Sequence, residues 1–76
     1  MEPTDVPALT ATAVIKTRSV CGAGSDLFYL YADRDSSAYI GCLREMPVAG
    51  RTYRTTTRRR VAVDVTVADG FTVARL

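Results

Sequence analysis

Hydrophobic and polar positions alternate with period two along much of the chain, and that period predicts strands. From Leu9 to Arg18, Leu9, Ala11, Ala13 and Ile15 are apolar while Thr10, Thr12, Lys16 and Arg18 are polar, with Val14 out of phase. This predicts a half-buried strand over 9–18. Leu27 to Ala32 is an apolar and aromatic run of strand length, with Phe28 and Leu30 on one face and Tyr29 and Tyr31 on the other. Ala38 to Glu45 resumes the pattern, with Ile40 and Cys42 opposite Tyr39 and Leu43, and ends before Pro47. One short helix near 36–46, capped by Ser36, is the alternative there; Gly41 inside it would cost about 1 kcal/mol relative to Ala.

Val61, Val63, Val65 and Val67 alternate with Ala62, Asp64, Thr66 and Ala68, the clearest strand pattern in the chain. Asp69-Gly70 follows, and Asp-Gly between two strand patterns predicts a hairpin leading into a last strand over 71–76. A three-residue turn with Gly70 left-handed opposes Val67 to Phe71 and Val65 to Val73. That register gathers the valines, Phe71 and Val73 on one face, whereas a slip of one residue scatters them.

The expected fold is therefore all-β: a small five-stranded antiparallel sheet or partly open barrel of the SH3-like or OB-like kind, its curl hiding strand edges. Residues 1–8 (MEPTDVPA) lack a period and read as a loose leader, leaving 9–76 as one small β domain. Seventy-six residues have room for one core only.

Composition then removes chemistry. The chain has no His, Trp, Asn or Gln. Without His there is no Ser-His-Asp triad, no Cys-His pair and no imidazole ligand, so the chain is read as non-catalytic. Cys21 and Cys42 have neither metal-site nor redox-motif spacing, and whether they meet is open. Asp33, Asp35 and Ser37 fall on the first, third and fifth places of a calcium loop, but Ala38 and Arg44 occupy the places that need Gly and Glu. Gly22-Ala23-Gly24 lacks the rest of a phosphate loop and reads as a turn. No metal and no cofactor is expected. Few cysteines, no basic start to a signal peptide and no long apolar run make the expected location cytoplasmic, with no membrane contact.

Charge is what asks for a partner. Residues 1–50 carry a net −2, whereas residues 51–76 carry +4, with five Arg and no acid in 51–60. Arg51, Tyr53, Arg54, Arg58, Arg59 and Arg60 are the expected partner-binding residues. Extended structure through this stretch would put Arg54, Arg58 and Arg60 on one face. Tyr29 and Tyr31 are candidate aromatic contacts, and Tyr39 and Tyr53 are the other ring candidates. A guanidinium fork suits carboxylates and phosphates alike. The expected function is a stand-alone inhibitor or regulator that docks on a larger protein or nucleoprotein through an acidic surface. Sequence-tolerant nucleic-acid binding is the alternative, because bidentate adenine readout normally needs the absent Asn or Gln. A third reading is a structural subunit of a larger assembly, a homodimer through the edge of the valine strand being its simplest form.

Overall fold

A computed structural model describes residues 6–18 and 26–75. Five strands form, β1 (Ala8–Arg18), β2 (Asp26–Tyr31), β3 (Tyr39–Leu43), β4 (Thr52–Thr56) and β5 (Ala62–Arg75), and the described residues contain no helix. They make one sheet in the order β3-β2-β1-β5-β4 that curls into a nearly closed barrel. Strands that alternate in direction around a ring of five must include one like-directed pair of neighbours. That pair is β1 and β5, which run parallel, while β1–β2, β2–β3 and β4–β5 are antiparallel. The sheet is thus mixed where an antiparallel one was expected. No described helix is long and apolar enough to cross a membrane.

The core lies inside the curl. Ala11, Val14, Phe28, Leu30, Ile40, Val63 and Val65 form one buried cluster, with Leu43 and Phe71 packed against it. Val67 is also fully buried, so the even spacing of valines in β5 translates directly into an inward row. Phe28 and Leu30 face in and Tyr29 and Tyr31 face out, as their alternation predicts.

Two strands change phase. In β1, Ala11, Ala13 and Val14 are buried while Leu9 is 40% exposed, so the odd face expected to be buried throughout gives way at Val14, the residue out of step. Leu30 stands opposite Gly41 and Tyr31 opposite Tyr39, so Ile40 is an extra residue in β3. The bulge turns Ile40 inward and leaves Tyr39 and Cys42 on the outer side, not on opposite faces. The helix alternative fails because Ser36 adopts a left-handed φ of 59° within the turn, and residues 39–43 are extended. Asp33 fixes that turn: its Oδ1 accepts from the Asp35 and Ser37 amides at 3.0 and 3.3 Å, and its Oδ2 accepts from Ser37 Oγ at 2.7 Å. These bonds to the ionised form, Ser37's hydroxyl above all, hold the Asp33 pKa below its ordinary value.

The expected hairpin at Asp69-Gly70 does not form. β5 is one strand of 14 residues, and 52–56, not 71–76, supplies the fifth strand. Gly70 is left-handed, with φ 74°, but it serves an irregularity within the strand. Ala11 pairs with Val67 and Ala13 with Thr72, so 68–71 of β5 bow out against Thr12 alone. Val63, Val65 and Val67 face in and Phe71 packs against the core. Val61, which precedes β5, and Val73 are 47% and 44% exposed, not on the buried face expected of them. The Asp-Gly pattern by itself cannot tell a bow from a reversal. Residues 1–5 of the expected leader, the Gly22–Gly24 turn and Cys21 lie outside the described residues. Pro7 is inside them, and its carbonyl accepts from the Asp64 amide at 2.9 Å, extending the β1–β5 ladder.

The ring is closed between β3 and β4 by one side chain. Thr55 Oγ1 accepts from the Cys42 amide at 3.1 Å and donates to the Cys42 carbonyl at 2.9 Å, satisfying both backbone groups of that edge residue. Gly41 makes the approach feasible, since a Cβ there would overlap Thr55 Cγ2 and lie 2.8 Å from Oγ1. Gly41→Ala should therefore lower stability by about 1–3 kcal/mol through overpacking. Thr55→Val should cost about 1–3 kcal/mol by leaving both Cys42 groups unpaired. In urea unfolding, Gly41→Ala with Thr55→Ala should cost less than Gly41→Ala and Thr55→Ala measured singly and added, because the overlap with Cγ2 disappears; strict additivity would contradict the contact.

Candidate docking surface

The expected basic strand divides into a short strand and a turn. Thr52–Thr56 pairs with β5, placing Tyr53 opposite Val65 and Thr55 opposite Val63 on the inner side, and Arg54 opposite Asp64 on the outer side. Thr57 to Val61 then reverses the chain: the Thr57 amide donates to the Val61 carbonyl at 3.0 Å, and the Arg60 amide to the Thr57 carbonyl at 2.9 Å. Arg60 takes the left-handed position of this turn, with φ 64°. Arg54, Arg58 and Arg60 consequently do not share one strand face, because extension ends at Thr56.

Each expected contact residue has a definite place. Arg51 is exposed before β4, with its amide bonded to the Val48 carbonyl and its carbonyl to the Val67 amide, both at 3.1 Å. It stands roughly 20 Å of extended chain away from the turn. Tyr53 is half-buried, and its hydroxyl accepts from the Val48 amide at 2.8 Å. Arg54 is committed to Asp64, which its Nε contacts directly and its Nη2 meets at 3.4 Å; the hydrogen bond to Asp64, then its charge, raises the Arg54 pKa. Arg58, Arg59 and Arg60 remain together in the turn, exposed, and with no ion pair among the described residues.

Arg58 lies over an aromatic group from other strands. Its guanidinium carbon is 5.1 Å from the Tyr39 ring centre. Tyr39 meets Tyr31 edge-on, with centres 5.8 Å apart at 74°, and Tyr29 at 6.0 Å and 51°. These rings, with Ile15 and Arg58, line an open cleft of about 400 Å³ on the outer side of the barrel. The sheet builds it through register, since Ile15 is beside Tyr29 on β1–β2 and Tyr31 is opposite Tyr39 on β2–β3. Tyr29 and Tyr31 were expected contacts. Ile15 and the Tyr39–Arg58 pair were not legible as parts of one site, because only the β3 bulge and the seam bring them together.

The cleft is apolar at its floor and cationic at its lip. Burial, then the neighbouring Cys42, Tyr29 and Tyr31 groups, push the Tyr39 phenol above its ordinary pKa of 10.0, while Arg58 acts in the opposite sense. Burial disfavours the phenolate and the cation favours it, so Arg58→Met, which keeps a side chain over the ring and removes the charge, should raise the Tyr39 pKa further. An NMR-detected alkaline titration checks this: an unchanged or lower Tyr39 midpoint in the variant would show that Arg58 does not sit on the ring. Family models, curated proteins and solved structures were compared with the chain, and none of the three comparisons gives a match.

Proposed function

We propose that this protein is a non-catalytic binding module that docks on an acidic surface of a larger protein, acting there as an inhibitor or regulator. The observation that carries the reading is Arg58 lying over Tyr39 at the lip of the tyrosine cleft, beside the exposed Arg59 and Arg60. Tyr and Arg are the side chains that most often concentrate binding energy at protein interfaces. Here three Tyr rings form a recess while the guanidinium groups of the turn are free to meet carboxylates bidentately. An apolar or aromatic side chain of the partner would enter the cleft between Ile15 and Tyr39. Its acidic neighbours would then face Arg58, Arg59 and Arg60.

The tilt of the rings favours a protein over a nucleic acid. Successive bases need ring faces laid open side by side, whereas Tyr39 packs against Tyr29 and Tyr31 at 51° and 74° and turns them into walls. Arg51 and Arg54 play a smaller part in this reading than their charge suggests, one being remote and the other held by Asp64.

Affinity capture from native lysate after nuclease treatment should retain one stoichiometric protein on the wild type and lose it on Arg58→Glu with Arg60→Glu. Tyr31→Ala should weaken the same complex about tenfold or more while leaving the far-ultraviolet spectrum unchanged. Retention by the charge-reversed variant would overturn the proposal. Capture abolished by nuclease, with log K falling against log salt at a slope of about −3 for three Arg on phosphate, would replace it with nucleic-acid binding.

A further inference from the structure

At one end of the barrel the inner side of the sheet changes from apolar to charged. Val14 is buried and Ile15 lines the outer tyrosine cleft, so Lys16 and Arg18, in step with Val14, continue the inner side of β1. Lys16 Nζ lies 5.9 Å from the ring centre of Phe28, its neighbour in β2, and Arg75 is its neighbour in β5. Asp26 is the neighbour of Arg18 in β2, and its Oδ2 is 3.3 Å from Lys16 Nζ. These four side chains and Thr17 line a cleft of about 240 Å³. We propose that this cleft is a binding site for inorganic phosphate, taken up as the hydrogen phosphate dianion.

Two observations point to an anion. The β1–β5 ladder sets Lys16 and Arg75 side by side, and like charges so placed repel each other. Arg18 adds a third cation about 7 Å further along the same strand. Secondly, these three cations face one carboxylate, a net +2, and neither Arg18 nor Arg75 has an ion pair among the described residues. Residues 19–25, which join β1 to β2, carry no charged side chain. A dianion seated in the cleft removes the repulsion and offers oxygens to both guanidinium forks.

Asp26 selects among dianions. A carboxylate only accepts hydrogen bonds, so it repels an anion that has no proton to donate. Hydrogen phosphate carries two charges and one O–H: it donates to Asp26 while its other oxygens accept from Lys16, Arg18 and Arg75. Sulfate and the dianion of a phosphate monoester have no O–H on the anionic group. The site is also separate from the docking surface, which lies on the outer side of the barrel around Tyr39 and Arg58.

NMR titration of the amides tests this at constant ionic strength and about pH 8, where phosphate and its monoesters are dianions. Inorganic phosphate should shift Lys16, Thr17, Arg18, Asp26 and Arg75 saturably, with a Kd of about 1 mM. Sulfate and glycerol phosphate should bind about tenfold more weakly. Arg75→Gln should weaken phosphate about tenfold, and Asp26→Asn, whose amide donates where the carboxylate could only accept, should bring sulfate level with phosphate. Arg58→Glu with Arg60→Glu, which attacks the docking surface, should leave phosphate affinity unchanged. Shifts that do not saturate by about 50 mM, sulfate binding the wild type as tightly as phosphate, or full affinity in an Arg75→Gln variant with a native amide spectrum would overturn the proposal.

Discussion

A single threonine hydroxyl holds together the two edges that make a curled sheet into a barrel. Thr55 spends its one donor and one of its acceptor sites on the carbonyl and amide of Cys42, so β3 and β4 meet without a backbone ladder. Two strand edges that would otherwise need water or a foreign strand are brought together, at the expense of one residue's side-chain volume at position 41. The rest of the outer surface depends on that closure. It carries the β4–β5 turn to β3 and lays Arg58 on Tyr39, across a seam that no main-chain bond spans among the described residues.

Five strands of alternating direction cannot close a ring without one parallel neighbour pair, and the chain assigns that role to its two longest strands. The parallel β1–β5 junction lets β5 run on past the end of β4. The bow at 68–71 then marks a division within one strand: before it the valines are enclosed, after it the backbone follows β1 alone. Gly70 meets the left-handed requirement of the bow. Barrel closure on one side and an open flank on the other arise from the same mismatch in strand length, 14 residues in β5 against five in β4.

Strand identity was legible where period two is uninterrupted. Val63, Val65 and Val67 face in, and Phe28 and Leu30 oppose Tyr29 and Tyr31 in direction, because every alternate residue of a strand must change sides. Legibility failed at bulges. Val14 and Ile40 break the alternation, and a linear pattern does not say whether such a residue is an outlier or the place where the strand changes phase. Asp69-Gly70 failed for a related reason: both a hairpin and a bow need a left-handed glycine, and only the partner strand decides between them. Within the basic stretch the Arg count was visible, but Arg54's engagement with Asp64 depends on the β4–β5 register. The Tyr39–Arg58 contact depends on the seam, a property of the closed fold that no local window contains.

The seam and the proposed docking surface are therefore linked thermodynamically. Arg58 belongs to the turn after β4 and Tyr39 to β3, so a partner that engages both bridges the two edges that Thr55 joins. Anything that binds this arrangement more tightly than an opened one must stabilise closure by its own difference in affinity. An opened seam, by contrast, separates Arg58 from the three-tyrosine recess and exposes Cys42's backbone groups. A complementary partner would then select the closed barrel and rigidify the β3–β4 junction, even though its contacts lie on the outer face and none of them touches the core.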